Sequence, residues 1–146
     1  MWSIQDRIQE DGYCPESLTG GYQGEFVRGS STAVITLLEI GDYLRARKVI
    51  RYLCKKISGL GVERCSHIIT KDDSYLCMED QVDRHYHFVL VWAKYIMETK
   101  DRETEYEFYP LLKKFTSFYL NEPYYHRDLK LLWCPSYEHA RRNTFL

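Results

Sequence analysis

The stretch "SSTAVITLLEIGDYLRARKVIRYLCKKI", residues 30–57, holds two amphipathic periods parted by a single turn signal. Val34, Leu37 and Leu38 recur on one helical face. Gly41 then stands where a left-handed residue closes a helix, a conformation that glycine adopts without a Cβ clash. Asp42 follows as the N-cap of a second helix, with Leu44, Val49, Ile50 and Leu53 as its apolar face. Lys55 and Lys56 suit the negative end of that helix. Ser30 or Ser31 is placed to cap the first helix. The spacing predicts a helical hairpin with a very tight turn.

A second hairpin is expected downstream. "HYHFVLVWAKYIMET", 85–99, is apolar on most sides, which predicts a largely buried helix. Thr99-Lys100-Asp101 makes the turn, and "EYEFYPLLKKFTSFYL", 105–120, continues as a helix with Pro110 as a kink point. Between the hairpins, residues 58–79 lack helical period and read mostly as loop, with a short extended segment at "HIIT", 67–70. Residues 121–137 form another loop, leading to a helix-like start at 139–146. The hairpins share one plan, offset by roughly 55 residues: a polar loop, an apolar helix, a tight turn ending in Asp, and a more amphipathic helix. Repetition of this kind builds a solenoid or a closed toroid. The fold class expected is all-α, one domain over 1–146 whose hairpins form part of an (α/α)6 toroid. Two hairpins and a short third start read as part of something larger.

Bulk composition narrows the function. The 146 residues are 45% hydrophobic and 28% charged, which fits a globular chain. A net charge of −1 argues against a nucleic-acid partner, whose binders concentrate Lys and Arg on one face. No apolar run approaches the roughly 20 residues that a membrane span needs. The N-terminus is charged from the start, without an apolar signal region, so an intracellular, cytoplasmic protein is expected. Five cysteines at irregular spacing, with no CxxC, argue against a disulfide framework or a zinc ribbon. Cys65, His67, Cys77, His85 and His87 are the nearest approach to a metal cluster, but histidines two apart on a helix point about 200° from each other. Neither a metal nor a cofactor is expected. Aromatic residues reach 15%, with 13 tyrosines, a type used both in helical cores and in sugar-holding grooves.

Three polar clusters carry the chemistry. In the first, Tyr22, Glu25, Phe26 and Arg28 put a guanidinium beside aromatic rings. Arg28 either pairs with Glu25 on the surface or offers forked donors to a hydroxyl or carboxylate. The second, "EDQVDR", 79–84, crowds acids before the most apolar helix. Asp80 and Asp83 complement the helix dipole, whereas Gln81 has no such explanation. In the third, "WCPSYEHARRNTF", 133–145, Glu138 sits in an aromatic-rich loop beside Trp133. Desolvation there would raise its pKa and suit it to general acid work; pairing with Arg141 or Arg142 is the plainer alternative. Each cluster precedes the first helix of a hairpin, so all three are expected on one rim, around a pocket.

These stretches resemble the six-hairpin, (α/α)6-barrel glycosidases of the glucoamylase and glucosidase type. "DGYCPESLTGGYQGEFVRGSSTAVITLLEIGDY", 11–43, resembles their loop with an aromatic-x-Arg-Asp motif, followed by an inner helix and its turn. "EDQVDRHYHFVLVWAKYIMETKD", 79–101, resembles their D-Q-x-D-G loop and the helix after it. "YEFYPLLKKFTSFYL", 106–120, resembles the next outer helix, and "PSYEHARRNTF", 135–145, a later loop that carries a glutamate. The resemblance implies an oligosaccharide or α-glucoside substrate and acid/base hydrolysis. It makes Glu138 the acid, with Tyr22, Phe26, Arg28, Asp80, Gln81, Asp83, Trp133 and Arg141 lining the sugar site. The second carboxylate of an inverting pair, roughly 6.5–9.5 Å from the first, has no counterpart in the matched motifs, so little turnover is expected. Gly29 stands where such enzymes carry Asp, and Arg84 where they carry Gly. An alternative is a non-catalytic helical scaffold that binds a protein or oligosaccharide. An incomplete toroid also leaves apolar helix faces uncovered, which predicts self-association.

Overall fold

The computed structural model describes residues 3–19, 24–59, 68–69, 75–76, 83–118, 120–121 and 125–132. Among these the chain is mostly helical: a short α1 (Ile4–Arg7), then α2 (Val27–Glu39), α3 (Tyr43–Gly59), α4 (Asp83–Thr99) and α5 (Arg102–Phe118). Two-residue strands lie in the connections: β1 (Glu25–Phe26), β2 (Ile68–Ile69), β3 (Tyr75–Leu76), β4 (Tyr125–His126) and β5 (Leu131–Leu132). β1, β2 and β3 pair antiparallel in that order, and β4 pairs with β5.

The two hairpins, α2–α3 and α4–α5, form where the turn chemistry puts them. Gly41 has φ +77°; its N–H donates to the Leu38 carbonyl and that of Asp42 to the Leu37 carbonyl, which satisfies the orphan carbonyls at the end of α2. Asp42 then accepts the Arg45 N–H at 3.2 Å and caps α3. At the second turn Lys100 takes the left-handed conformation, φ 56°, without being glycine. Asp101 caps α5 by accepting the Thr104 N–H at 3.1 Å.

Two expectations need correction. Ser30 and Ser31 do not cap α2: the helix already starts at Val27, its N-cap is Phe26, and that position makes no side-chain cap. Both serines lie inside the helix, where their hydroxyls donate to the carbonyls of Cys14 and Val27. Leu44 does not join the apolar face of α3; it is 69% exposed, because the covered stripe starts at Ala46 and continues through Val49, Ile50, Leu53 and Ile57. α5 runs through Pro110 as one helix, as its pattern predicts. α4 is largely covered, as its apolar pattern predicts, with Leu90 (67%) and Met97 (71%) as its exposed large hydrophobic residues.

The core comprises Val34, Leu37, Ile50, Leu53, Phe88, Tyr95 and their neighbours, drawn from all four long helices. Full burial of a side chain of this size contributes about 1.5–3 kcal/mol, so this cluster dominates the stability. α2 packs most extensively against α4 and against its hairpin partner α3. On the far side, Arg47 Nε donates to Asp101 at 2.8 Å, and one turn later Arg51 reaches Thr104 at 3.0 Å and Glu107 at 2.5 Å. Contacts that advance together along α3 and α5 make those helices parallel. Their hairpin partners α2 and α4 are therefore parallel too, and form the second layer. Both start at the same end of the molecule; the third polar loop expected there, 133–145, lies outside the described residues.

Candidate functional site

The shared rim is organised by the segment that leads into α2. Glu25 and Phe26 are extended and pair with Ile69 and Ile68, so the connection between the hairpins is stitched to the start of α2. Alternation along this segment turns Glu25 and Val27 inward, both fully buried, and leaves Phe26 half-buried. Arg28, in the first turn of α2, is half-buried, and its carbonyl accepts the Thr32 hydroxyl at 3.0 Å.

Glu25 is therefore not the exposed partner that a surface pair with Arg28 would require. Its carboxyl is 0% exposed, and neither oxygen has a hydrogen-bond partner. Burial pushes its pKa up to about 8; the nearby Ser30 hydroxyl and Cys14 backbone N–H oppose the rise without reaching bonding geometry, since the Ser30 hydroxyl donates to the Cys14 carbonyl at 3.0 Å. The Cys14 thiol beside it is pushed up to about 12, by burial first and then by the Glu25 charge. At neutral pH both groups hold their protons, so two uncharged polar groups lie buried under the rim. A group this enclosed does not reach a substrate. The alternation in "GEFV" is the signal that places Glu25 inward; reading it as a loop misses that.

Gly29 has its own neighbour. A Cβ built there would lie 2.0 Å from Glu16 Oε2, so the Glu16 carboxylate rests on the bare glycine. Arg7 holds that loop by donating to the Glu16 carbonyl at 2.5 Å. A carboxylate thus stands beside Arg28's neighbour in the chain, but a different segment supplies it.

Of the site residues expected from sequence, Phe26 and Arg28 are both on this rim, and Asp83 is the first residue of α4 on the same rim. Tyr22, Asp80, Gln81, Trp133, Glu138 and Arg141 lie outside the described residues. So does most of the Cys/His group; His85 is buried in α4 with its ring 5.2 Å from that of Phe115, and no cluster of metal-binding side chains occurs among the described residues. No helix there is long and apolar enough to cross a membrane.

The opposite end carries a second polar centre. Asp101 Oδ2 accepts the Tyr95 hydroxyl at 2.6 Å, the Thr104 hydroxyl at 2.7 Å and Arg47 Nε at 2.8 Å. Burial alone would raise its pKa, but these donors outweigh it and hold the carboxyl well below the usual range. Burial, then the Asp101 charge, pushes the Tyr95 phenol up. This centre fixes α3, α4 and α5 together and faces away from the rim. No family model, curated protein or solved structure matches the chain.

Proposed function

We propose that the chain is a carbohydrate-active, glycosidase-like domain whose α2/α4 rim binds an oligosaccharide or glucoside. In this reading the hairpins are consecutive units of an (α/α)6 toroid in a cytoplasmic protein. Glu138 is the general acid, and Tyr22, Phe26, Arg28, Asp80, Gln81, Asp83, Trp133 and Arg141 bind the sugar. The observation that supports it most is that two parallel helices start on one rim with Phe26 and Arg28 at one start and Asp83 at the other. Hydroxyl-rich ligands suit a half-buried arginine beside an aromatic ring, because guanidinium donors fork to hydroxyls while the ring stacks on the sugar face.

A second reading, a non-catalytic scaffold, draws support from the same rim: Glu25 lies sealed beneath it and Glu16 fills the space at Gly29. Titration calorimetry with maltooligosaccharides, together with release from aryl α-glucosides, separates the two. The hydrolase reading expects slow release that Glu138→Gln abolishes and binding that Arg28→Ala weakens by about tenfold, the loss of roughly 1.4 kcal/mol. Binding that survives Glu138→Gln, without any release by the wild type, favours the scaffold. Neither binding nor release overturns the carbohydrate assignment.

A further inference from the structure

The N-terminal segment covers buried polar groups as well as apolar ones. Ile4 and Ile8 pack on the core, and Tyr13 and Cys14 are buried. Gly12 sits under the Lys48 carbonyl, and the Tyr13 ring stands edge-on to that of Tyr52, both on α3. Between Ile8 and Glu16 the backbone forms neither helix nor strand. The Ser30 hydroxyl ties it to α2 by donating to the Cys14 carbonyl at 3.0 Å. The Glu16 N–H ties it to the approach to β1 by donating to the Gly24 carbonyl at 3.1 Å.

Glu25 lies beneath this cover. It is fully enclosed with both carboxyl oxygens unpartnered, so the closed protein offers its charged form neither water nor a donor. The titratable and charged groups that face it among the described residues are Cys14 and Asp11 of the cover and Lys56 of α3. α2 presents the Ser30 hydroxyl, and β2 presents Ile69. Burial outweighs the pull of Lys56, and the Asp11 charge adds to the effect of burial. Removing β2 would not relieve the carboxyl, because paired strands lie side by side and side chains stand out of their plane. Nor can β1 swing out by itself, since it runs directly into α2. The cover is the part that moves: it is terminal and irregular, and it opens more readily than the helices beneath it.

We propose that Glu25 is a pH latch for this cover: loss of its proton multiplies the population of an opened form, in which residues 8–16 leave α2 and α3 while both hairpins stay folded. The closed form tolerates the neutral carboxyl, whereas the carboxylate is stable only where water reaches it. In the open form Glu25 titrates near pH 4.5, as it does in water; in the closed form burial pushes that value up to about 8. Between the two values the open form binds fewer protons than the closed one. Its share therefore grows about tenfold per pH unit and levels off above the upper value. It stays the minority form through neutrality, so the latch shows in the rate at which reagents pass the cover. The latch is independent of any ligand at the rim.

Cys14 reports the opening, since it is 2% exposed when the cover is shut, and Cys54, fully buried in α3, is the internal control. The full chain is labelled with iodoacetamide from about pH 5.5 to about pH 7.5 and read by peptide mass mapping, inside the window where the two forms differ in bound protons. Dividing each rate by that of a free thiol at the same pH isolates the opening. Wild-type Cys14 should gain about tenfold per pH unit and label well before Cys54. Glu25→Gln should flatten that slope whatever its absolute rate, because an amide does not titrate. Hydrogen exchange should show the same pH dependence in the amides of residues 8–16, ahead of those in the helices. A flat wild-type profile overturns the proposal without recourse to any variant. So does a Glu25→Gln profile as steep as that of wild type, or labelling of Cys14 and Cys54 at one rate, which would mean that the whole chain unfolds.

Discussion

Replacing Glu25 by glutamine keeps the shape of a fully buried side chain and removes its titration. In the folded protein the carboxyl holds its proton up to about pH 8, whereas an unperturbed one releases it near pH 4.5. Between those values the unfolded chain binds fewer protons than the folded one, so stability falls as pH rises. The contribution is complete below the unfolded value and gone once pH passes the folded value. At about 1.4 kcal/mol per unit, the window integrates to roughly 5 kcal/mol, a large share of the 5–15 kcal/mol that holds a domain together. Urea unfolding followed by circular dichroism, run on wild type and Glu25→Gln from about pH 5 to about pH 9, reads the difference directly. All other titrating groups are common to both proteins and cancel. Wild type should lose several kcal/mol relative to the variant across that range, with the gap widening by a little over 1 kcal/mol per unit near neutrality. Parallel profiles would refute the argument, for they would mean that Glu25 reaches solvent or a partner when ionised.

Asp101→Asn should cost about 1–3 kcal/mol at neutral pH, since Arg47, Tyr95 and Thr104 lose a charged acceptor. Because the folded pKa is lowered, that advantage exists above the unfolded value, and the wild-type lead should shrink as the pH falls below about 4. Gly12→Ala should lower the urea midpoint by about 1–3 kcal/mol equivalent, since a Cβ would meet the Lys48 carbonyl oxygen at 2.3 Å from a backbone with φ +102°. Gly29→Ala should cost under about 1 kcal/mol in the same assay, because only the movable end of Glu16 must shift. Leu37→Ala should cost about 2–5 kcal/mol by leaving a cavity in α2, whereas Leu44→Ala on exposed α3 should change stability by no more than about 0.5 kcal/mol.

Local rules carried the reading of the sequence furthest at the turns. Gly41, Asp42 and Asp101 determine where the hairpins close through interactions within a few residues, so their spacing is visible in one dimension. The same holds for the short extended segment at Ile68–Ile69, which its β-branched residues favour. Periodicity in α4 records which positions are apolar and not which are covered. Leu90 and Phe88 are equally apolar, and only the placement of α2 and α5 distinguishes them. The alternative of a surface pair between Glu25 and Arg28 fails for a related reason: charge predicts exposure until a neighbouring strand turns the side chain inward.

Thus the amino-acid sequence alone determined the helical hairpins and their turns, since each depends on contacts a turn or two apart, whereas the common start of α2 and α4 follows from Arg47 and Arg51 reaching across to α5. Tertiary packing alone decided that Glu25 is sealed and uncharged at neutral pH, that Glu16 lies across Gly29, and that Leu90 and Met97 on α4 are exposed. Desolvation and coverage arise from segments distant in the chain, and no local pattern encodes where those segments come to rest.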